Sequence, residues 1–165
     1  MKTYKVVGIG NAVVDVITKS DDSFLANMGI EKGIMQLIEK DRAEVLYGSM
    51  SDRTQAAGGS VANSIAGIGS LGLRTAFVGR VSDDALGKFY AKAMTDEGTV
   101  FVNDPVAGGE FATSPARHIV SPTGDRSMNT WFGSSAELGP EDVAAEVGAH
   151  GEMVYRESNP AEQDK

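Results

Sequence analysis

The stretch Ala57-Gly58-Gly59-Ser60-Val61-Ala62-Asn63-Ser64 decides the fold, because it joins bare backbone to the start of an apolar helix. Two adjacent glycines lack the Cβ atoms that would keep a ligand off the main chain, and they tolerate the positive φ angles of a sharp strand-to-helix turn. Ile65, Ile68 and Leu71 follow at helical spacing. We therefore predict a helix that Ser60 caps and whose unpaired N–H groups point back at the glycines.

Strand-like and helix-like segments alternate on both sides of this turn. Patterns typical of strands occupy residues 6–10, 13–18, 35–38 and 76–79, and patterns typical of helices occupy residues 22–28, 41–48 and 84–98. Asp21 or Ser20 is the predicted cap of the first of these helices, and Asp41 is the predicted cap of the second. Helices that alternate with continuous apolar strands predict an α/β fold with a mainly parallel sheet.

The segment 103–134 is different, because it is poor in helix formers and rich in Gly, Ser, Thr and Pro. Its turn, residues 121–125, separates two arms at 116–120 and 126–132, which predicts a hairpin in a small antiparallel sheet. Pro115 is expected to break the first arm. Beyond the hairpin we predict a short helix from Pro140 through Val147, and a disordered tail over residues 156–165 because they have little to bury.

Composition narrows the classes of function. The net charge is -8 and the basic residues are scattered, which argues against a nucleic-acid-binding surface. The absence of cysteine excludes disulfides and thiolate chemistry and suits a reducing cytoplasm. No apolar stretch reaches the length of about 18 residues that a membrane span needs. We therefore predict a soluble cytoplasmic protein that binds neither membrane nor nucleic acid.

Familiar cofactor motifs are missing. Residues 8–10 read Gly-Ile-Gly, but the third glycine of a dinucleotide fingerprint is lacking and a strand follows instead of a helix. The sequence contains no P-loop pattern. His118 and His150 have no partner at metal-ligand spacing, so both are expected to be surface residues and no metal site is predicted.

Asn11 and Asp15 follow the first predicted strand, where ligands bind in open α/β sheets. A carboxylate there can accept two hydroxyl hydrogen bonds at once, as the vicinal diol of a sugar requires. The alternative is a turn asparagine and a surface aspartate, and the glycine pair with Asn63 can likewise be only a tight turn. Arg126 in the hairpin is either a solvated charge or a partner for phosphate beside a cleft.

Several segments, in the same order along the chain, resemble the ribokinase-like carbohydrate kinases, also called the PfkB family. They are residues 10–15 (Gly-Asn-Ala-Val-Val-Asp), the Gly58-Gly59 pair with Asn63, residues 77–87 and the hairpin at 122–130. The match covers most of residues 4–155. Val61 departs from the family signature, which normally has Gly, Ala or Pro at this place. The glycine-pair variant, Asn-x-x-x-Asp and Gln36-Leu37 look more like the adenosine-kinase branch than the ribokinase branch.

The resemblance implies a ribokinase-like, doubly wound, mainly parallel sheet with a small β lid, incomplete at the C-terminus. Residues 1–155 would be the N-terminal part of one such domain, with a lid made of about residues 12–38 and 110–132. Arg126 would approach the transferred phosphate. The residues that the resemblance places around the substrate are Asn11, Asp15, Gln36, Leu37, Gly58, Gly59 and Asn63.

The implied reaction is ATP-dependent phosphorylation of a sugar or nucleoside hydroxyl, with adenosine favoured and Mg²⁺ neutralising charge. In this family the catalytic Asp and the ATP pocket lie in a C-terminal half with a Gly-Ala-Gly-Asp signature, which this sequence lacks. The isolated chain is therefore expected to be inactive, with no catalytic residue of its own. The alternatives are a non-catalytic sugar- or nucleoside-binding fragment or regulatory module, and a product with no stable fold. Exposed lid edges also offer a route to a homodimer.

Overall fold

The computed structural model of the protein describes residues 3–143 and 150–157. Within these ranges no helix is both long and apolar enough to cross a lipid bilayer. The elements are β1 (Tyr4–Ile9), β2 (Val13–Lys19), α1 (Asp22–Asn27), β3 (Met35–Leu37), α2 (Lys40–Ser49), β4 (Thr54–Gly58), α3 (Ser60–Ser70), β5 (Thr75–Val78), α4 (Ala85–Asp96), β6 (Thr99–Phe101), β7 (Ser114–Val120), β8 (Arg126–Thr130), a 3-10 helix (Gly133–Glu137) and β9 (Gly151–Arg156).

The first sheet is parallel throughout and has the strand order β6-β5-β1-β9. Its two inner strands are the continuous apolar runs of the sequence, and Val7, Ala76 and Val78 are fully buried. Helix α3 packs on β1 and β5, while α4 contacts β6. Ile65 and Phe77 belong to the main hydrophobic core, which fills the space between the helices and the strands. This sheet matches the predicted parallel α/β layer.

The second sheet, which we call the lid sheet, has the order β3-β8-β7-β2-β4. The β7–β8 hairpin is antiparallel as predicted, but β2 pairs with β7 and β3 pairs with β8 in parallel. The prediction of a small antiparallel sheet was therefore wrong, because turn chemistry reports only the pairing of neighbouring segments. β4 also belongs to this sheet, outside the ranges predicted for the lid.

One face of the lid sheet is covered by α1, α2 and the segment after α1. Leu25, Ile30, Leu46 and Ile119 form a separate small core there. Pro115, which was expected to interrupt this region, lies inside β7 opposite Val14. Pairing of β7 with β8 starts one residue later, so the missing N–H of the proline falls outside that ladder.

Helix starts were predicted with mixed success. Asp21 caps α1, because its Oδ1 accepts a hydrogen bond from the backbone N–H of Phe24 at 2.8 Å. Asp41 and Ser60 were wrongly predicted as caps, since Glu39 precedes α2 and Gly59 precedes α3. At the latter turn the backbone needs a positive φ, and a glycine takes the cap position although it offers no side-chain oxygen.

The C-terminal prediction is partly corrected. β9 runs through Arg156, and the backbone N–H of Glu157 donates to the carbonyl of Ile9 at 3.1 Å, so these two residues do not belong to a disordered tail. The rest of the predicted tail, residues 158–165, lies outside the described residues. Residues 144–147 of the predicted last helix also lie outside the described residues. Residues 140–142, where that helix was predicted to begin, form turns.

Candidate functional site

The glycine pair marks the point where the lid sheet meets the first turn of α3. A Cβ on Gly58 would lie 2.5 Å from Oδ1 of Asp15, so only glycine lets this carboxylate rest against the backbone. Gly59 has a φ of +107°, and a Cβ there would lie 2.3 Å from the carbonyl oxygen of Asn11. The absence of both side chains therefore allows β2, β4 and α3 to converge.

Strand pairing holds Asp15 in place. In the antiparallel β2–β4 ladder Val13 lies opposite Gly58, and Asp15 lies opposite Ala56. The Asp15 side chain keeps 25% of its surface exposed, toward a cleft between the lid sheet and α3. Behind it, the buried hydroxyl of Tyr90 donates to the carbonyl of Gly58 at 3.0 Å. Burial, and next the charge of Asp15, raise the pKa of Tyr90 well above its ordinary value, so this phenol stays a donor.

The cleft has a volume of about 260 Å³ and opens between the lid sheet and the N-terminus of α3. Period-two alternation turns one face of β2, β7 and β8 toward it. The cleft brings together five residues singled out in the sequence, which are Asn11, Asp15, Gly59, Asn63 and Arg126. Gly58 joins them through its contact with Asp15.

Gln36 and Leu37 are not brought into this cleft. Met35 of β3 lines it instead, and Leu37 lines an adjoining cavity of about 240 Å³. Gln36 lies opposite Asn129 in the β3–β8 ladder, on the other face of the strand from Met35 and Leu37. Both residues nevertheless belong to the lid sheet, as the sequence predicted.

The adjoining cavity has a more aromatic lining than the first cleft, in which polar and apolar side chains are mixed. Phe111 and Trp131 meet edge to face with their ring centroids 6.3 Å apart. Thr130 and Phe132 line both cavities, so the two cavities are neighbours. Neighbouring cavities of this kind, one with a carboxylate and one with aromatic rings, can hold a ligand that has a polyol part and a flat apolar part.

Glu157 also lines the cleft, although the sequence analysis did not predict it. Its Oε2 accepts a hydrogen bond from the backbone N–H of Asn11 at 3.1 Å, and its Oε1 accepts one from Oγ of Ser60 at 2.5 Å. The N-terminus of α3 favours a negative charge at this place. No local pattern identified Glu157, because it follows the last apolar strand in a polar stretch.

His118, predicted to be a surface residue, is buried in the cleft wall, and its side chain is only 6% exposed. β7 is an inner strand of the lid sheet, so side chains of β2 and β8 flank the His118 ring on the face turned to the cleft. Alternation along the hairpin arm places His118 on the same face as Ala116, and this pattern is a usable signal for its position. His150, by contrast, is exposed as predicted.

The described residues contain no group of three or more His, Cys, Asp and Glu side chains that could hold a metal ion. Of the two acidic side chains that line the cleft, Glu157 is held by the backbone N–H of Asn11 and by Ser60, which leaves Asp15 as a single carboxylate. This donor set does not fit Mg²⁺, which requires near-octahedral coordination by oxygen ligands that are free to turn toward it.

Comparison with known proteins gives a consistent answer. The model of the pfkB family of carbohydrate kinases matches residues 6–162. The structure of adenosine kinase from Sinorhizobium meliloti is 44% identical with a TM-score of 0.84, and it covers 94% of this chain and 47% of that one. A probable sugar kinase from Rhizobium etli is 39% identical with a TM-score of 0.85 over the same shares. These similarities confirm the predicted ribokinase-like α/β fold.

More distant relatives agree with this assignment. Guanosine-inosine kinase of Escherichia coli strain K12 is 38% identical over 64 residues, which is 36% of this chain and 15% of that protein. Adenosine kinase from Anopheles gambiae is 20% identical with a TM-score of 0.80, covering 92% of this chain and 47% of the other, which shows the shared fold. The chain spans about half the length of these solved relatives. From the family match and the convergence of its glycine pair with Asp15, the chain belongs to the pfkB family of carbohydrate kinases.

Proposed function

We propose that this chain forms the substrate-binding and lid half of an ATP-dependent kinase that phosphorylates a hydroxyl group of a sugar or nucleoside, with adenosine the favoured substrate. Membership of the pfkB family supports the reaction class. The Sinorhizobium meliloti structure supports the choice of a nucleoside, since that relative is an adenosine kinase.

One observation carries the proposal, namely the Asp15 carboxylate resting on the Gly58 backbone at the mouth of a cleft. The carboxylate is partly exposed to the cleft and is rigidly placed by the β2–β4 ladder. A carboxylate in such a place can accept hydrogen bonds from two hydroxyl groups of one ligand. Gly59 and Asn63 line the same cleft, so a polyol bound at Asp15 would also lie beside the glycine turn and the Asn63 amide.

The adjoining cavity also supports a nucleoside over a free sugar. A polyol at Asp15 leaves that cavity for a planar base, and Phe132 lines both cavities. Arg126 lies at the edge of the cleft and is solvent-exposed, where a guanidinium can pair with a phosphate group. Positioning and charge neutralisation of this kind are the main contributions a protein makes to phosphoryl transfer.

Calorimetric titration with adenosine and with ribose tests the binding role of Asp15. In Asp15→Ala the binding free energy is expected to weaken by at least about 2 kcal/mol, since the ligand hydroxyls lose a charged acceptor in a partly desolvated cleft. Asp96→Ala is the matched control, because Asp96 lies on the exposed side of α4 in an ion pair with Lys92. Equal affinities for wild type and Asp15→Ala would contradict the proposal.

Phosphorylation is expected to need residues beyond this chain. Without a general base the rate falls by a factor on the order of 10² to 10⁴, so the isolated chain with ATP and Mg²⁺ is expected to give no phosphorylated adenosine. Transfer of labelled phosphate from ATP to adenosine is the measurement. Turnover by the 165-residue chain would show that the base lies among its own residues.

A cytoplasmic location and a homodimer formed through the lid are further parts of the proposal. β3 and β4 are the edge strands of the lid sheet, and open edges favour pairing with a second copy. Light scattering over a range of protein concentrations tests the dimer, and a monomer at every concentration would contradict it.

A further inference from the structure

We infer that His118 determines which substrates the cleft accepts, by donating a hydrogen bond from Nε2 to the same ligand hydroxyl that donates to Asp15. The inference rests on the proposed binding of a polyol at Asp15. In this inference His118, on the lid sheet, distinguishes a ligand hydroxyl from other chemical groups.

The position of the imidazole points to a ligand. Nε2 of His118 lies 3.0 Å from Oδ1 of Asp15, yet the contact lacks hydrogen-bond geometry. Neither ring nitrogen has a hydrogen-bond partner among the residues that the structure describes, although the side chain is only 6% exposed. A buried polar group without a hydrogen-bond partner lowers the stability of a folded protein, so such a group is a candidate for a functional role. Here the ring lines the cleft directly beside the carboxylate.

Strand pairing fixes the backbone of His118 as firmly as it fixes that of Asp15. His118 lies opposite Ile17 in the parallel β2–β7 ladder and opposite Met128 in the antiparallel β7–β8 ladder. Asp15 is two residues before Ile17 on the same face of β2, so the two polar groups share one wall of the cleft. Both ring nitrogens are covered in this structure, so the inference requires the imidazole to turn when a ligand hydroxyl binds Asp15, which brings Nε2 to that hydroxyl.

The two side chains together select hydroxyl groups. An ionised carboxylate only accepts hydrogen bonds, so Asp15 alone binds any donor, whether a hydroxyl or an amine. The inference requires a proton on Nε2, which an imidazole carries in one of its neutral tautomers and in its charged form. A hydroxyl can donate to Asp15 and accept from Nε2 at the same time, whereas an ammonium group cannot accept and a C–H group does neither. His118 thus turns a general carboxylate site into one specific for a hydroxyl.

The chain has two histidines, which makes a direct observation feasible. In a spectrum of the ¹⁵N-labelled imidazole groups, saturating adenosine is expected to shift the Nε2 resonance of His118 and to leave His150 unchanged, because His150 lies at the opposite end of the parallel sheet beside Thr3. Binding that leaves both rings unshifted would overturn the inference without any substitution.

Affinities for deoxy analogues give the second test. Adenosine, 2′-deoxyadenosine and 3′-deoxyadenosine are titrated into wild type, His118→Gln and His150→Gln, and Asp15→Ala identifies the hydroxyl that Asp15 binds. We expect His118→Gln to reduce the preference for that hydroxyl about tenfold and His150→Gln to leave it unchanged. An unchanged preference in His118→Gln, with the Asp15 dependence intact, overturns this inference alone. If wild type binds neither adenosine nor ribose, the proposed function fails and the inference fails with it.

Discussion

The four-stranded parallel sheet and the five-stranded lid sheet of this protein differ in what covers their faces. The parallel sheet buries Val7, Ala76 and Val78 completely, and helices cover its β1–β5 centre. The lid sheet covers one face with a small core and leaves the other lined by Asp15 and His118. Both sheets contribute to the hydrophobic core, since Val14 and Val16 of β2 are fully buried in it, and the lid sheet also provides polar groups that line the cleft.

The difference shows where the chain can place polar groups without losing the fold. The inner strands β1 and β5 of the parallel sheet are buried on both faces, so a charge placed there would have no partner. A strand in the lid sheet alternates, and every second residue can be polar because the cleft admits ligand and solvent. The elements that join the two sheets, above all the glycine turn and the start of α4, are consequently the places where a small change has the largest effect.

Gly59→Ala is expected to have the largest effect, because it strains the turn where the two sheets meet. The added Cβ would lie 2.3 Å from the Asn11 carbonyl at a φ of +107°. Strain and steric overlap together are expected to lower the free energy of unfolding by about 3 kcal/mol or more, as measured by urea denaturation.

Gly72→Ala is the control for this substitution. Gly72 also has a positive φ, +89°, but a Cβ there meets nothing within 4 Å, so only about 1 kcal/mol of backbone strain is expected. Equal losses for the two variants would mean that the close approach of α3 to Asn11 does not matter.

Asp84→Ala is expected to loosen the second junction. Its Oδ1 accepts from the N–H of Gly87 at 2.7 Å in the first turn of α4, and its Oδ2 accepts from the N–H of Thr113 at 2.8 Å just before β7. Losing both bonds is expected to lower the unfolding free energy by about 2 kcal/mol.

Asp83→Ala serves as the comparison for Asp84→Ala. The exposed ion pair of Asp83 with Lys88 contributes no more than about 0.5 kcal/mol, so this variant is expected to unfold almost as wild type does. A cost for Asp84→Ala as small as that of Asp83→Ala would show that the two sheets are not coupled through this carboxylate.

The smallest effect is expected at the hairpin turn of the lid sheet. Hydrogen bonds from Thr123 and then from Lys32 hold the pKa of Asp125 below its ordinary value. A carboxyl whose pKa is lower in the folded state stabilises the fold above about pH 4 and loses that contribution as the pH falls through its folded pKa. Asp125→Asn is therefore expected to lose less stability on acidification than wild type, as measured by urea unfolding at successive pH values.

Thr123→Val extends this measurement, since it removes the largest cause of the shift. It is expected to lie between wild type and Asp125→Asn in its sensitivity to acid. Identical pH dependence in all three proteins would show that the turn plays no part in acid unfolding.

Much of this architecture was predictable from local patterns. The buried runs of β1 and β5, the helix after the glycine pair and the arms of the hairpin each carry their own periodicity or turn residues. The likeness of residues 10–15 and 58–63 to one family also placed Asn11, Asp15 and Asn63 around a cleft, and the structure brings these residues together.

Pairing between distant segments was not predictable in the same way. The parallel contacts of β2 with β7 and of β3 with β8 join segments about a hundred residues apart, and no turn records them. The family resemblance placed Gln36 at the substrate, but the sequence does not show which face of β3 is turned to the cleft. In the register with β8, the Gln36 side chain lies on the face turned away from the cleft.

By itself the sequence determined that helices alternate with strands, that a glycine turn precedes α3 and that a carboxylate follows the first strand. Helix period, strand alternation and glycine geometry are local properties, which is why they can be read from neighbouring residues. Only the tertiary structure decided that His118 lies against Asp15 and that Glu157 sits at the start of α3. Both contacts depend on strand pairing between remote parts of the chain, which is governed by the burial of whole faces and not by the residues next to each site.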